Sequence, residues 1–366
     1  MRTQLDRDGV PFCMQGGLTL VPMPGFEERA RQLASLISEK SRRPAELNTP
    51  VDIAVPSFKL RPSGEPFLEL GKEHLDSHDV FILASGPGSY EMVGQMDFLL
   101  GYLAGHKAGR ITIVFGYMPQ GRSDKDERDV FALPPILVTK WLALAQGLLK
   151  RIVCVDPHSD QSTMVGHTGL ITPVWLTYRL LKRAYQDARE VADRVVLAFP
   201  DAGARKRFKL ALKKLETDLG GAVPVVYASA DRVDATHKTI DDLGGDVAVV
   251  RGAHVIQLDD ETAGGGTQMG AALKLREAGA ADVWSAVTHG VLCGNAPALF
   301  VAPDSPISRL YITDTIPPEN RRELDALRAS GRLHVLSWID DQMWVIYNVH
   351  WGRNVRVTRG IGNPDL

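Results

Sequence analysis

Short apolar segments alternate with longer amphipathic ones along almost the whole chain, beginning at Leu18. In the first half the apolar segments read LTLVPM, VDIAVPSF, DVFILAS, ITIVFGYM and RIVCVDP. Spacing of about 3.6 residues predicts helices near residues 26–39, 90–108 and 134–147. Apolar runs of this length, separated by helices, are typical of parallel strands buried on both faces. The pattern therefore predicts an α/β fold with helices on both faces of a parallel sheet.

The same alternation recurs after residue 170, with apolar segments VVLAFP, VPVVYA, DVAVVRG, VIQLDD, DVWSAVTH and RLYITDT. No Ser- or Pro-rich linker separates the two halves. We therefore predict two doubly wound parallel-sheet domains, at residues 16–170 and 171–335. Residues 336–366 contain three of the six tryptophans, which need burial, and we expect this segment to form a strand and a helix that return to the first domain.

Composition narrows the class of protein. The 366 residues are 44% hydrophobic and carry a formal net charge of −2, which argues against a nucleic-acid binder that works by phosphate neutralisation. No apolar run approaches the about 18 residues of a membrane span, and the first residues lack a secretory signal pattern. Cys13, Cys154 and Cys293 are far apart, so neither a disulfide framework nor a zinc site is predicted. A cytoplasmic, reduced protein is expected.

One segment combines several features of a ligand site. The apolar residues 255–258 predict a buried strand, and Asp259 and Asp260 follow it directly. A loop and a helix come next, and in open α/β sheets ligands bind at the carboxyl ends of strands. Glycine lets backbone N–H groups approach a phosphate, and the helix N-terminus adds partial positive charge. The loop residues are Ala263, Gly264, Gly265, Gly266 and Thr267.

Further charged residues follow other predicted strands. Arg122, Ser123, Asp124 and Lys125 come after ITIVFGYM. His158 follows RIVCV and the dipeptide Asp156-Pro157, and Asp201 follows VVLAFP. The chain has neither a Walker phosphate loop nor a kinase signature, so a nucleoside triphosphate would bind by other means. A charged loop or a histidine at a strand end also occurs without any function.

The order of these motifs resembles a known family. Two aspartates before a Gly/Thr loop mark the phosphoribosyl-pyrophosphate site of type I phosphoribosyltransferase folds. The tail THGVLCG, followed by ITDTIP, is similar to that of the ribose-phosphate pyrophosphokinases. The resemblance covers residues 18–357. It implies two domains of phosphoribosyltransferase type, with the active site in the crevice between them.

The resemblance also implies a role for each motif. ATP would be bound by Arg122, Ser123, Asp124 and Lys125, together with Glu65, which in that family reaches the nucleotide of a neighbouring subunit. A homo-oligomer is therefore expected. His158 and Asp201 would organise phosphates and Mg²⁺, His158 being catalytic. Asp259 and Asp260 would take the ribose hydroxyls, and residues 263–267 the acceptor phosphate.

Two departures from the family pattern affect the predicted chemistry. The acceptor loop of the family reads Asp-Thr-Ala-Gly-Thr, so residues 263–267 lack one carboxylate and one hydroxyl and contain an added glycine. The family's catalytic Lys-x-Arg is also missing after VPVVYA. Arg232 is the candidate for that catalytic role, with Lys238 as an alternative. In the nucleotide loop, Ser123 replaces the usual glutamine.

Several functions remain open at this point. The preferred one is Mg²⁺-dependent transfer of diphosphate from ATP to ribose 5-phosphate, giving phosphoribosyl pyrophosphate and AMP. The same chemistry on a larger ribose ester such as ADP-ribose is favoured by the open acceptor loop. A non-catalytic regulatory member is compatible with the missing Lys-x-Arg. A base-transferring phosphoribosyltransferase is disfavoured by the nucleotide loop and by the THGVLCG tail.

Overall fold

The computed structural model describes residues 7, 13–41, 47–72, 74–126, 131–200, 208–232, 238–319 and 321–355. Within these ranges the chain forms two compact units. The first unit runs to Val174 and resumes at Trp338, whereas the second spans Trp175–Ser337. Among the helices that the structure describes, none combines the length and apolar character needed to cross a membrane.

The elements follow in chain order. The strands are β1 (Leu18–Pro22), β2 (Val51–Ile53), β3 (Pro56–Leu60), β4 (Pro66–Leu70), β5 (Asp79–Ala84), β6 (Arg110–Phe115), β7 (Leu149–Val155), β8 (Ile171–Val174), β9 (Val195–Phe199), β10 (Val225–Arg232), β11 (Lys238–Gly245), β12 (His254–Thr262), β13 (Asp282–Gly290), β14 (Arg309–Thr313) and β15 (Leu333–Leu336). The helices are α1 (Glu27–Ser41), α2 (Tyr90–Gly105), α3 (Leu133–Leu144), α4 (Asp160–Thr163), α5 (Thr177–Val191), α6 (Lys209–Leu219), α7 (Gly266–Glu277), α8 (Ala296–Val301), α9 (Asp325–Ala329) and α10 (Ile339–His350).

The first unit is built on a six-stranded sheet with the order β2-β1-β5-β6-β7-β8, in which every pair is parallel. Its central strands are buried along their whole length, as their continuous apolar runs predict. Because all strands are parallel, their carboxyl ends meet at one edge of the sheet. The segments after β5, β6 and β7 therefore lie side by side at that edge.

The second unit is built on a seven-stranded sheet with the order β11-β10-β9-β12-β13-β14-β15. The pairs are parallel except for β10 and β11, which are antiparallel. Separate apolar clusters cover its two faces, one including α5 and α6 and the other including α7 and α8. Strand β12 is central in this sheet, and α7 begins just beyond its carboxyl end.

Local structure departs from the apolar pattern at two places. The segment 51–58 splits into β2 and the first strand of an antiparallel hairpin, β3–β4, which was not predicted. The expected strand at residues 246–252 is wrong, because Val247–Val250 forms a 3₁₀ turn. A short apolar run without alternation cannot by itself distinguish a strand from a buried turn.

The C-terminal segment divides between the two units, and its three tryptophans all fall in the first. Strand β15 pairs with β14 in the second sheet, whereas α10 packs on α1 in the first unit. The Lys40 ammonium lies 3.2 Å from the centroid of the Trp344 ring, a cation–π contact. Nearby, the backbone N–H of Leu47 donates to the Tyr347 hydroxyl at 2.8 Å. The last helix is thus an integral part of the first unit's core.

Candidate active site

The acceptor loop, residues 263–267, connects β12 to α7 in the second unit. Strand β12 is longer than expected and continues through Thr262, so both aspartates lie within it. Asp260 is 3% exposed, whereas Asp259 is half-buried. Successive side chains in a strand point to opposite faces, so Asp259 is the carboxylate on the face that α7 covers.

Glycine is required at one position of the acceptor loop. Gly265 has φ +79° and caps the N-terminus of α7, a left-handed conformation that costs a residue with a Cβ about 1–2 kcal/mol. By contrast, a Cβ added to Gly264 or Gly266 would meet no atom within 4 Å. These two glycines leave open space at the mouth of the loop. Helix geometry leaves the first N–H groups of α7 without intrahelical acceptors, as a bound anion requires.

The THGVLCG tail holds the acceptor loop by backbone hydrogen bonds. Leu292 N–H donates to the Thr262 carbonyl at 2.9 Å, and Cys293 N–H donates to the Ala263 carbonyl at 3.0 Å. The Arg321 guanidinium in turn donates to the carbonyls of Gly290, at 2.7 Å, and of Leu292, at 3.2 Å. This part of the motif is a structural support for the loop.

The ITDT motif, residues 312–315, stabilises the carboxyl end of the neighbouring strand β13. The Thr313 hydroxyl donates to the Thr288 carbonyl at 2.7 Å and lies 2.9 Å from the Thr315 hydroxyl. The Thr315 hydroxyl also contacts Nδ1 of His289 at 2.9 Å. All four side chains are buried. Their hydrogen bonds fix the carboxyl end of β13 beside β12.

Sequence reasoning missed Gln268, the third residue of α7. Its amide donates to Oδ2 of Asp259 at 3.3 Å and to the Glu261 carbonyl at 3.1 Å, and it accepts from the Thr262 hydroxyl at 3.0 Å. The only hint in the sequence was a polar residue at a helix position that faces the sheet. A period of 3.6 places it there, but its partners become visible only in the fold.

In the first unit, the predicted nucleotide loop follows β6. Arg122 and Lys125 are exposed, and Ser123 and Asp124 are half-buried. The backbone that carries them is tied to the neighbouring turn after β5. Gln120 donates through Nε2 to the Gly88 carbonyl at 2.7 Å and through its backbone N–H to the Pro87 carbonyl at 3.1 Å. Two exposed cations thus project from a braced loop at the carboxyl edge of the sheet.

The structure brings His158 next to this nucleotide loop. His158 follows β7 and is half-buried. A Cβ built on Gly121 would lie 4.0 Å from the Cβ of His158. The preceding residue Asp156 is buried and has φ +33°, which is uncommon for a residue other than glycine. An imidazole and the Arg122–Lys125 segment therefore share one edge of the first unit.

Cys154 lies in β7 close to these groups but does not contribute to the chemistry. It is fully buried, and burial, reinforced by the charge of Asp156, raises the pKa of its thiol to about 12. A thiol with this pKa stays protonated near neutral pH and is a poor nucleophile.

The remaining predicted residues lie elsewhere. Glu65 is exposed in the β3–β4 hairpin, where its carboxylate accepts from the Ser63 hydroxyl at 2.9 Å. Asp201 lies outside the described residues. The backbone of Arg232 ends β10 and pairs with Lys238 of β11, and their side chains lie outside the described part of the chain. The two basic candidates are therefore paired on adjacent antiparallel strands.

Comparison with known proteins gives consistent relatives. No protein-family model matches the chain. The chain is 30% identical over 292 residues to a ribose-phosphate pyrophosphokinase of Deinococcus radiodurans, covering 78% of this chain and 83% of that protein. It is 28% identical over 268 residues to one of Rhodopirellula baltica, covering 73% and 80% respectively. The solved phosphoribosylpyrophosphate synthetase of Mycobacterium smegmatis matches with a TM-score of 0.70 and 25% identity, over 91% of this chain and 98% of that one.

Proposed function

Since the chain belongs to the ribose-phosphate pyrophosphokinase family, we propose that it transfers the diphosphate of ATP to the anomeric hydroxyl of a ribose phosphate. The predicted family and the predicted phosphoribosyltransferase-type α/β fold are confirmed by the relatives and by the structural similarity. Ribose 5-phosphate is the default acceptor, and the products are then phosphoribosyl pyrophosphate and AMP.

The acceptor loop is the observation that carries this proposal. A left-handed Gly265 lies at the start of α7, with open space beside Gly264, and the Asp259 carboxylate lies within β12, four residues before the loop begins. Backbone N–H groups at a helix start favour a phosphate dianion, and a carboxylate accepts hydrogen bonds from sugar hydroxyls. One phosphate and one ribose are the ligand fragments that these groups suit.

The proposed binding site for ATP, the phosphate donor, is the nucleotide loop with its exposed charged side chains. Arg122 offers a planar fork of donors for phosphate or for stacking on a base, and Lys125 offers a point charge. Phosphoryl transfer depends mainly on positioning and on neutralising charge, so exposed cations on a braced loop are suitable parts. His158 lies next to this loop, where its imidazole can contact the transferring phosphates. Arg232 takes the place of the missing basic pair.

We propose Mg²⁺ as the cofactor. This ion prefers oxygen ligands and usually keeps several waters and substrate phosphate oxygens. His158 offers one imidazole nitrogen, which suits an ion that is held mainly by the substrate. Asp201, the other predicted ligand, lies outside the described residues. When bound, Mg²⁺ would neutralise charge on the phosphates.

The reaction forms one bond and breaks one. The anomeric oxygen of the acceptor bonds to the β-phosphorus of ATP, and the bond from that phosphorus to the α,β-bridging oxygen breaks. AMP leaves with the bridging oxygen, and the proton of the anomeric hydroxyl passes to a base or to solvent. The expected nucleotide product is therefore AMP rather than ADP.

A larger acceptor is the second candidate, and the open loop favours it. Because nothing lies within 4 Å of a Cβ on Gly264 or Gly266, the loop has room for a diphosphate ester where ribose 5-phosphate carries a monophosphate. ADP-ribose is an ester of this kind with a free anomeric hydroxyl. The same bond changes would apply to it.

The test is incubation of the protein with ATP, Mg²⁺ and either ribose 5-phosphate or ADP-ribose, with separation of AMP from ADP. The proposal expects AMP and a diphosphorylated ribose in equal amounts, and no reaction when a chelator removes the metal. Formation of ADP with either acceptor would contradict diphosphoryl transfer. No AMP with either acceptor would contradict the proposed acceptor class.

We also propose a homo-oligomer, because Glu65 is exposed in the hairpin and could serve a neighbouring subunit. Light scattering of the purified protein gives the mass directly. A variant Glu65→Ala that keeps the oligomer but raises the KM for ATP would support this role. An unchanged KM for ATP would remove Glu65 from the nucleotide site.

A further inference from the structure

We propose that Gln268 is a positioning residue whose side-chain amide sets the orientation of the Asp259 carboxylate and the shape of the acceptor loop. This inference rests on the proposed function, since it assigns Asp259 and the loop to the ribose-phosphate acceptor. Gln268 lies in α7, and its amide makes hydrogen bonds to three successive parts of β12: the Asp259 carboxylate, the Glu261 carbonyl and the Thr262 hydroxyl.

The first consequence concerns the Asp259 carboxylate. Its Oδ1 accepts from the backbone N–H of Asp260 at 2.9 Å, and its Oδ2 accepts from Gln268. Because each oxygen accepts a hydrogen bond from one of these donors, the plane of the carboxylate is fixed. A carboxylate oxygen can accept more than one hydrogen bond, so these contacts do not prevent binding of a sugar hydroxyl. The orientation of the Asp259 carboxylate is therefore set before the acceptor binds.

The second consequence concerns the acceptor loop itself. Residues 263–266 are one alanine and three glycines, so they have almost no side chains to define their conformation. Glycine loses more conformational freedom on ordering than any other residue. Gln268 fixes both ends of this stretch, because it belongs to the first turn of α7 and holds Glu261 and Thr262 just before the loop.

Burial makes these hydrogen bonds difficult to replace. Gln268 is 6% exposed, and Ala271 and Leu275 line the same space between α7 and the sheet. A buried group that loses its hydrogen-bond partner keeps the cost of desolvation. Water therefore cannot readily substitute for the amide. Loss of the Gln268 side chain removes a hydrogen bond from Asp259 and from Thr262 at the same time.

The kinetic test compares Gln268→Met with a matched control, Gln257→Met. Gln257 is also a buried glutamine of this interface, but it donates only to the backbone carbonyl of Gln268, at 3.3 Å. We expect Gln268→Met to raise the KM for the ribose-phosphate acceptor about tenfold, with the KM for ATP unchanged. The control should keep the wild-type KM for the acceptor. Equal effects of both substitutions would overturn the proposal, since they would report general loosening of the helix.

A second variant separates positioning from packing through pH. Gln268→Glu retains the shape but places a carboxyl against Asp259, and two neighbouring carboxyls cannot both be charged without cost. The protonated carboxyl can donate to Asp259 as the amide does, whereas the charged form repels it. The KM for the acceptor in this variant should therefore approach the wild-type value as the pH falls, while Gln268→Met shows no such recovery. A KM in Gln268→Glu that stays raised at every pH, as in Gln268→Met, would contradict the positioning role.

A readout without turnover distinguishes this proposal from the proposed function. Hydrogen exchange at the amides of residues 264–267, in the protein without substrates, should be faster in Gln268→Met than in wild type and in Gln257→Met. If no acceptor yields AMP but exchange changes as expected, the proposed function fails and the bracing of the loop stands. Unchanged exchange in Gln268→Met would overturn the bracing even in an active enzyme.

Discussion

The two candidate substrate loops of this protein are built in different ways. The nucleotide loop of the first unit presents charge through exposed side chains, Arg122 and Lys125, on a backbone tied to the neighbouring turn by Gln120. The acceptor loop of the second unit has almost no side chains and presents backbone N–H groups. Buried Gln268 and the Leu292 N–H hold the residues just before this loop, and the Cys293 N–H donates to Ala263 within it.

The difference concerns where specificity is encoded. Exposed cations attract any polyphosphate, and each can be replaced without disturbing the fold, because surface substitutions change stability little. A backbone loop recognises a phosphate by shape, so its selectivity depends on the residues that hold the backbone. Changes in the nucleotide loop should alter the affinity for the nucleotide, and changes in the acceptor loop should alter which acceptor fits.

The largest effect is expected at His158, which lies next to the nucleotide loop of the first unit. His158→Ala should lower kcat by about 10²-fold or more, the usual magnitude for a lost contact to the transition state. The fold should persist, because a half-buried side chain at a strand end supports little of the core. His106→Ala is the matched control: His106 is exposed at the end of α2 in the same unit and stacks on Tyr102. A His158→Ala enzyme with wild-type kcat would make this histidine purely structural.

The next effect concerns acceptor choice. The double change Ala263→Asp with Gly264→Thr restores a carboxylate and a hydroxyl, and the open space around Gly264 accommodates the threonine. If the loop is adapted to a larger acceptor, the change should improve kcat/KM for ribose 5-phosphate and impair ADP-ribose. Discrimination of about 1–3 kcal/mol per hydrogen-bonded group is expected. A double variant that is merely worse on both acceptors would show that the loop holds the same phosphate through its backbone.

A smaller effect tests the backbone geometry alone. Gly265→Ala places a Cβ at φ +79°, 3.4 Å from the Phe300 ring, so we expect a loss of about 1–2 kcal/mol of stability and weaker acceptor binding. Gly264→Ala adds the same methyl group to open space and should leave both quantities near wild type. Urea unfolding measures the stability, and the KM for the acceptor measures acceptor binding. Similar behaviour of the two variants would contradict the required left-handed glycine.

The smallest effect is expected at His350, whose partner Asp79 begins β5 and so lies at the opposite end of the first sheet from the nucleotide loop. His350 in α10 is buried. Burial lowers its pKa, but hydrogen bonds to the Asp79 carboxylate, at 2.9 Å, and to Cys13, together with the charges of these two groups, outweigh burial, so the net shift of the pKa is upward. A raised pKa stabilises the protonated folded form. This contribution is complete below the unfolded pKa of about 6.5 and is lost as the pH rises through the folded value.

Thermal unfolding between pH 5 and 9 checks this expectation. Unfolding of the wild-type protein should show the loss of stability with rising pH, and His350→Gln should remove that pH dependence while kcat at saturating substrates stays unchanged. The hydrogen-bond partners described for the His350 side chain, Asp79 and Cys13, lie outside the nucleotide loop. A pH profile of stability that is identical in the two proteins would remove His350 as its source.

Much of the fold was predictable because its main signal is local. The continuous apolar runs of β5, β6 and β12 identify buried parallel strands, and the helices between them follow the 3.6 period. The β3–β4 hairpin was missed because it is an exposed antiparallel pair between parallel elements. Residues 246–252 were misread because the apolar run of this 3₁₀ turn, of which only Val250 is buried, resembles that of a short strand.

The candidate site was predictable where it consists of motif residues, and not where it consists of supports. Asp259 and the acceptor loop are recognisable from residue types and their position after a strand. Gln268 and Gln120 are not, because their partners are a carbonyl or a carboxylate that comes close only after folding. Hydrogen bonds to backbone leave no pattern in residue identity.

The position of α10 in the chain has a consequence for synthesis. This helix completes the first unit through contacts such as Lys40 with Trp344, yet it is translated only after the whole of Trp175–Ser337. At the usual 5–20 residues per second, a ribosome delivers it roughly 10–30 s after the last sheet strand of the first unit. During that interval the surface of α1 that α10 later covers is exposed in the nascent chain. The first half of the chain therefore emerges first and finishes folding last, which makes it the part most in need of protection by chaperones.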